Sequence, residues 1–194
     1  GMLFFFFFGN FGTKSPTSSF KDTANALERK AFAVKDSLLL IDDFHPEASN
    51  YESQKMAQTA QRVLRMFGDR IGRGRLTASI QFQKEFPPRG MALVTGEDLP
   101  SGESSVARFL GVELLQGAID LKILTKAQKE APLLSEAMRG YIEWLLPQMY
   151  NLPDMLHTEF LDKRATFQEK ATHGRSGEAA AWLYISFSMM LKYM

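Results

Sequence analysis

Between residues 20 and 115 the apolar positions change period repeatedly, which predicts helices and strands in alternation. Phe20 to Val34 carries Ala24, Leu27 and Ala31 at helical spacing, with Ser18 or Ser19 as candidate N-caps. Leu38-Leu39-Leu40-Ile41 is a short unbroken aliphatic run reading as a strand over Ser37–Ile41, buried on both faces as in a parallel sheet. Tyr51 to Phe67 returns to helical spacing, with Met56, Ala60, Val63, Leu64 and Phe67 on one face. Gly90 to Thr95 reads as a second buried strand and Phe109 to Leu115 as a third.

Beyond Gly117 the pattern turns helical: Leu133 to Gln148, Pro153 to Thr172 and Gly177 to Tyr193, punctuated by Pro132, Pro147 and Pro153. The expected organisation is therefore an α/β part over residues 1–117 and a helical C-terminal region over 118–194.

Composition alters this picture little. The 194 residues are 45% hydrophobic, enough for a sizeable core. A net charge of +1 supplies no global attraction to polyanions, so nucleic-acid or membrane binding would need a local patch. The absence of cysteine excludes disulfides and thiolate metal sites, and fits a cytoplasmic location. No apolar run reaches the ~20 residues that span a bilayer. The Met2–Phe8 segment lacks the basic start and small-residue cleavage site of a signal peptide.

Four groups of residues carry candidate chemistry. Asp42 and Asp43 follow the aliphatic run, so they fall at the carboxyl rim of a parallel sheet, where open α/β folds bind ligands. His45 lies close behind, and a direct metal cluster of Asp42, Asp43 and His45 is the lesser reading beside a turn histidine before Pro46. Gly68-Asp69-Arg70-Ile71-Gly72-Arg73-Gly74-Arg75 combines permissive glycines with phosphate-matching guanidinium forks. Arg70, Arg73 and Arg75 are thus candidate nucleic-acid or phosphate contacts; the alternative is a turn whose arginines pair with nearby carboxylates. Thr95 ends the Gly90–Thr95 strand as a polar tip. Arg108 precedes the next expected strand, either to reach a phosphate on a neighbouring subunit or to form an ordinary surface ion pair.

The succession Ser19 to Glu28, Lys35 to Phe44, Gly72-Arg73-Gly74-Arg75, Pro87-Pro88-Arg89-Gly90, Thr95-Gly96-Glu97-Asp98 and Ala107-Arg108 resembles the helicase-like P-loop ATPases of phage and plasmid mobile elements, found beside primase-type domains. The resemblance covers residues 9 to 145. It implies part of a P-loop NTPase fold of the additional-strand catalytic glutamate (ASCE) class, RecA- or AAA-like, with a mainly parallel sheet. It also implies ATP and Mg²⁺ as ligands of the intact family, a ring-like homo-oligomer, and DNA as partner. Under it, Leu38–Asp43 is the Walker B element, Asp42 the Mg²⁺-shell acid, Asp43 the catalytic carboxylate, Thr95 a γ-phosphate sensor and Arg108 an arginine finger.

One departure stands out. No G-x-x-x-x-G-K-[ST] loop occurs. Gly9-Asn10-Phe11-Gly12-Thr13-Lys14-Ser15 comes nearest, but Thr13 replaces a glycine needed to wrap phosphates and the first glycine is misplaced. The expectation is a back portion of such an ATPase that binds no ATP or Mg²⁺ tightly by itself. The runner-up is a non-enzymatic DNA-binding or assembly module. In the implied fold the phosphate-loop strand is central, and the Leu3–Phe8 run, apolar on both faces, is expected to occupy that place, from its own chain or by strand exchange; the alternative is a disordered or aggregation-prone leader.

Overall fold

The structure, a computed structural model, describes residues 18–45, 49–77, 79–98, 107–171 and 173–194. The chain comprises two units, whose described residues lie within 18–111 and 112–194. The expected strand at Leu3–Phe8 and the loop at Gly9–Ser15 lie outside the described residues.

The first unit is α/β. Its elements are β1 (Ser18–Ser19), α1 (Ala24–Ala33), β2 (Lys35–Phe44), α2 (Asn50–Asp69) and β3 (Arg89–Gly96). Among the described residues they form a three-stranded sheet, parallel throughout, in the order β1-β2-β3. Parallel neighbours need a crossover connection, and α1 and α2 are the crossovers. Leu39 and Ile41 on one face of β2 pack with Leu27 and Ala31 of α1 and with Met56, Ala60 and Val63 of α2. Leu40, of opposite parity, is buried as well, so the centre of β2 is covered on both faces as expected of a parallel strand.

Two irregularities shape β2. Lys35 pairs with Arg89 and Leu38 with Met91, so Asp36 and Ser37 oppose Gly90 alone. Ile41 pairs with Val94 and Phe44 with Gly96, so Asp42 and Asp43 oppose Thr95 alone. Each is a β-bulge, and each contains an aspartate in the left-handed region: Asp36 at φ 55° and Asp43 at φ 69°. The second bulge restores parity. Without it Phe44 would face away from Ile41; with it Phe44 joins the same core and meets Phe20 edge-on at 5.3 Å. Opposite the bulges, Gly90 and Gly96 leave no room for a Cβ, which would overlap the carbonyl oxygens of Ser37 and Phe44.

Three sequence expectations change here. Ser18 and Ser19 are not N-caps but pair with Ile41 and Asp42 as β1. The helix begins later, capped by Thr23, whose Oγ1 accepts from the Ala26 N–H at 3.3 Å. Phe109–Leu115 is not a strand: it makes no ladder, and Leu110, Val112, Leu114 and Leu115 are exposed. Alternating apolar residues become a strand only where a neighbouring edge accepts their backbone hydrogen bonds.

The second unit is helical: α3 (Leu121–Lys129), α4 (Ala131–Leu145), a 3₁₀ turn (Leu146–Gln148), α5 (Leu152–Gln168) and α6 (Gly174–Tyr193). Asp120 caps α3 by accepting from the Lys122 and Ile123 N–H groups, while Pro132 and Pro153 sit in the first turns of α4 and α5, where a missing N–H costs nothing. α5 and α6 pack through Phe160, Ala181 and Ile185, with Phe160 stacked on Trp182 at 4.3 Å. Among the described residues no helix is long and apolar enough to cross a membrane.

Candidate functional site

The carboxyl ends of β2 and β3 bring Asp42, Asp43 and Thr95 together. Because the strands are parallel and paired Ile41 to Val94, the next residue of each emerges at the same rim. The Thr95 hydroxyl donates a hydrogen bond to Asp42 Oδ1. Both aspartates are exposed. The bulge places Asp43 in the left-handed region, where Asp is tolerated because its short polar side chain bonds locally. Its carboxylate lies 2.9 Å from His45 Nδ1, which also approaches the Asp43 carbonyl oxygen at 3.2 Å, and 4.0 Å from Lys21 Nζ. His45 is thus an orienting neighbour of Asp43. Among the described residues no three histidine or acidic side chains converge as a metal-binding group. The rim offers two carboxylates and a hydroxyl, an all-oxygen set of the kind hard cations take.

Arg108 is not brought to this rim. Its Nε donates to Asp69 at 3.1 and 3.2 Å, at the end of α2. The adjacent Arg70 donates to the Gly90 carbonyl at 2.7 Å, at the beginning of β3. Arg108 and Asp69 therefore belong to the amino-terminal side of the sheet. From Ser37 to Asp42 a strand advances ~16 Å at its usual rise, so the arginine and the aspartate pair sit on opposite edges.

The arginine-glycine loop also works largely inward. Arg70 occupies the left-handed position that ends α2, at φ 56°, and its guanidinium ties the loop to β3. Arg75 pairs with Glu28 and also donates to Asn25 Oδ1 at 2.9 Å. The Arg73 backbone N–H donates to Glu28 Oε1 at 3.1 Å. Glu28, on α1, is only 3% exposed. A buried carboxylate demands such partners, since an unpaired buried charge is strongly unfavourable. Among the described residues Arg75 is held by an ion pair and Arg70 by a backbone carbonyl, whereas no ion pair involves the Arg73 guanidinium.

Glu28 escaped the sequence reading because a single acid in a helix carries no signal of burial. Its spacing hints at it: Glu28 falls between Leu27 and Ala31, which both face the core. Arg89 likewise acts structurally, donating to the Phe32 carbonyl at 2.6 Å while lying over the Phe32 ring at 4.0 Å.

Compared with known proteins, the chain matches no protein-family model, no curated protein and no solved structure.

Proposed function

We propose that the first unit carries the Mg²⁺-side half of an ATP site, as part of a helicase-like P-loop ATPase of mobile elements acting on DNA. The observation that supports this most is the hydrogen bond from Thr95 to Asp42 across the carboxyl ends of adjacent parallel strands. A polar strand tip touching the acid of the neighbouring strand is the contact a sensor residue would need to couple a bound phosphate to a metal near that acid. In this reading Asp42 orients water in the shell of Mg²⁺, Asp43 is the catalytic carboxylate and Thr95 reads the phosphate. Bound Mg²⁺ would supply charge neutralisation between the phosphates. Arg108, paired with Asp69, lies away from this chain's own rim, so a role as arginine finger would be played on a neighbouring subunit's site.

The 194 residues contain no G-x-x-x-x-G-K-[ST] segment, and carboxylates without phosphate-cradling amides bind Mg·ATP poorly. The chain by itself is therefore expected to bind ATP weakly and to turn none over. The test is the coding sequence upstream of residue 1, followed by ATPase assay of whatever longer protein it encodes. A phosphate loop there, with turnover abolished by Asp43→Asn, supports the reading. No such loop in any frame, or micromolar ATP binding by the present chain that Lys14→Ala abolishes, overturns it.

A further inference from the structure

Between α1, α2 and the loop after α2 runs a cavity of about 430 Å³, away from the Asp42–Asp43 rim. Its apolar floor includes Ala24, Val63 and Met66. Arg62, Arg65 and Arg73 also line it. Arg62 and Arg65 stand three apart on α2, so both fall on one face of the helix, and all three arginines are exposed.

The charges around this cavity do not cancel. Two carboxylates line it, Glu28 and Asp69, and both are already used. Glu28 accepts from the Arg73 N–H through Oε1 and from Arg75 through Oε2. Both oxygens of Asp69 accept from Arg108. The two lining acids are each paired with an arginine from outside the lining, Arg75 and Arg108, so neither is ion-paired with the three arginines that line the cavity. Among the described residues no ion pair involves the guanidinium of Arg62, Arg65 or Arg73. Planar forks left unpaired above a partly apolar concavity match phosphate oxygens better than any neutral ligand.

We propose that this cavity is a phosphate-ester site, distinct from the Asp42–Asp43–Thr95 rim and independent of the ATP reading. Arg62, Arg65 and Arg73 contact the phosphates while the half-buried Met66 takes the apolar part of a sugar or base. The phosphates come either from a nucleic-acid strand or from a free nucleotide; the volume suits the second, and an arginine pair along a helix face suits successive phosphates of the first.

The test uses the full chain and two probes. Fluorescein-labelled oligothymidine is titrated by anisotropy at several salt concentrations, and ATP without Mg²⁺ by calorimetry. If a strand binds through three phosphates, log affinity falls with log salt at a slope of about −2, a loss of about 16-fold from ~50 to ~200 mM salt. Arg62→Ala/Arg65→Ala/Arg73→Ala removes that slope, whereas Arg139→Ala, on α4, leaves it. Mg²⁺-independent ATP binding lost in the same triple variant, but unchanged in Asp42→Asn, with no strand binding, identifies the free nucleotide as the source. The single variants Arg62→Ala and Arg65→Ala, at exposed helical positions, each remove about a third of the slope or measurably weaken ATP binding, and they carry the test if the triple variant does not fold. Absence of binding to both probes, or binding indifferent to these substitutions, overturns the proposal.

Discussion

Replacing Arg75 by alanine tests whether the arginine-glycine loop is held to α1 by a buried charge. The side chain of Glu28 is 4% exposed and that of Arg75 27%. Removing one partner of a fully buried ion pair costs about 3–5 kcal/mol, because the other charge stays uncompensated. Arg75 is in partial contact with water, and the Arg73 N–H still serves Glu28 after the change. In addition, the Arg75 Nε–H is buried without a hydrogen-bond partner, which lowers the net worth of the pair. These reductions bring the expected loss to about 2–3 kcal/mol. Glu28→Gln keeps an acceptor for the Arg73 N–H and leaves Arg75 partly solvated, so it should cost about 1–2 kcal/mol. A Glu28→Leu/Arg75→Leu double variant should recover much of the loss, since apolar replacement of a buried pair is often neutral.

Both tryptophans, Trp144 and Trp182, lie in the helical unit, so tryptophan emission is the wrong probe. Hydrogen exchange of the Leu39, Leu40 and Ile41 amides during urea titration reports the sheet directly. An Arg75→Ala protein whose β2 amides are as protected as the parent's, within about 0.5 kcal/mol, would refute the buried-pair account and return Arg75 to the solvent-facing role its sequence context allows.

Gly90→Ala and Gly96→Ala drive a methyl into the Ser37 and Phe44 carbonyls, so each should destabilise the sheet toward the upper end of the ~1–3 kcal/mol typical of overpacking, read by the same exchange measurement. Asp36→Val forces a β-branched residue to φ 55° and should cost about 1–2 kcal/mol by far-UV circular dichroism in urea, whereas Asp36→Gly should be neutral within about 0.5 kcal/mol. Burial raises the Tyr141 phenol above its usual pKa, beside Trp144 and Tyr193. Its neutral form is therefore the one the fold favours: this contribution is whole below the usual phenol range and fades as pH rises through the folded-state value. Ultraviolet titration should show one tyrosine ionising late, a step that Tyr141→Phe removes.

The residues themselves determined the α/β then all-helical order, because apolar period is a local property. Leu38–Ile41 has no polar position to present to water and must be covered on both faces, while Met56, Ala60, Val63 and Leu64 can share one face only in a helix. Asp42 and Asp43 follow that run directly, so their place at the strand's carboxyl end was legible too. The partnerships were not. Whether Phe109–Leu115 becomes a strand depends on a vacant edge to pair with. Thr95 reaches Asp42 because two bulges set the register, and nothing in the local sequence dictates where a ladder slips. The arginines show the limit most clearly. Arg62, Arg65, Arg70, Arg73, Arg75 and Arg108 look alike in the chain. Tertiary packing commits Arg70 to a carbonyl, Arg75 to Glu28 and Arg108 to Asp69, and leaves Arg62, Arg65 and Arg73 around a cavity. A charge is assigned its role by the burial and position of its partner, and both arise only when segments tens of residues apart come together.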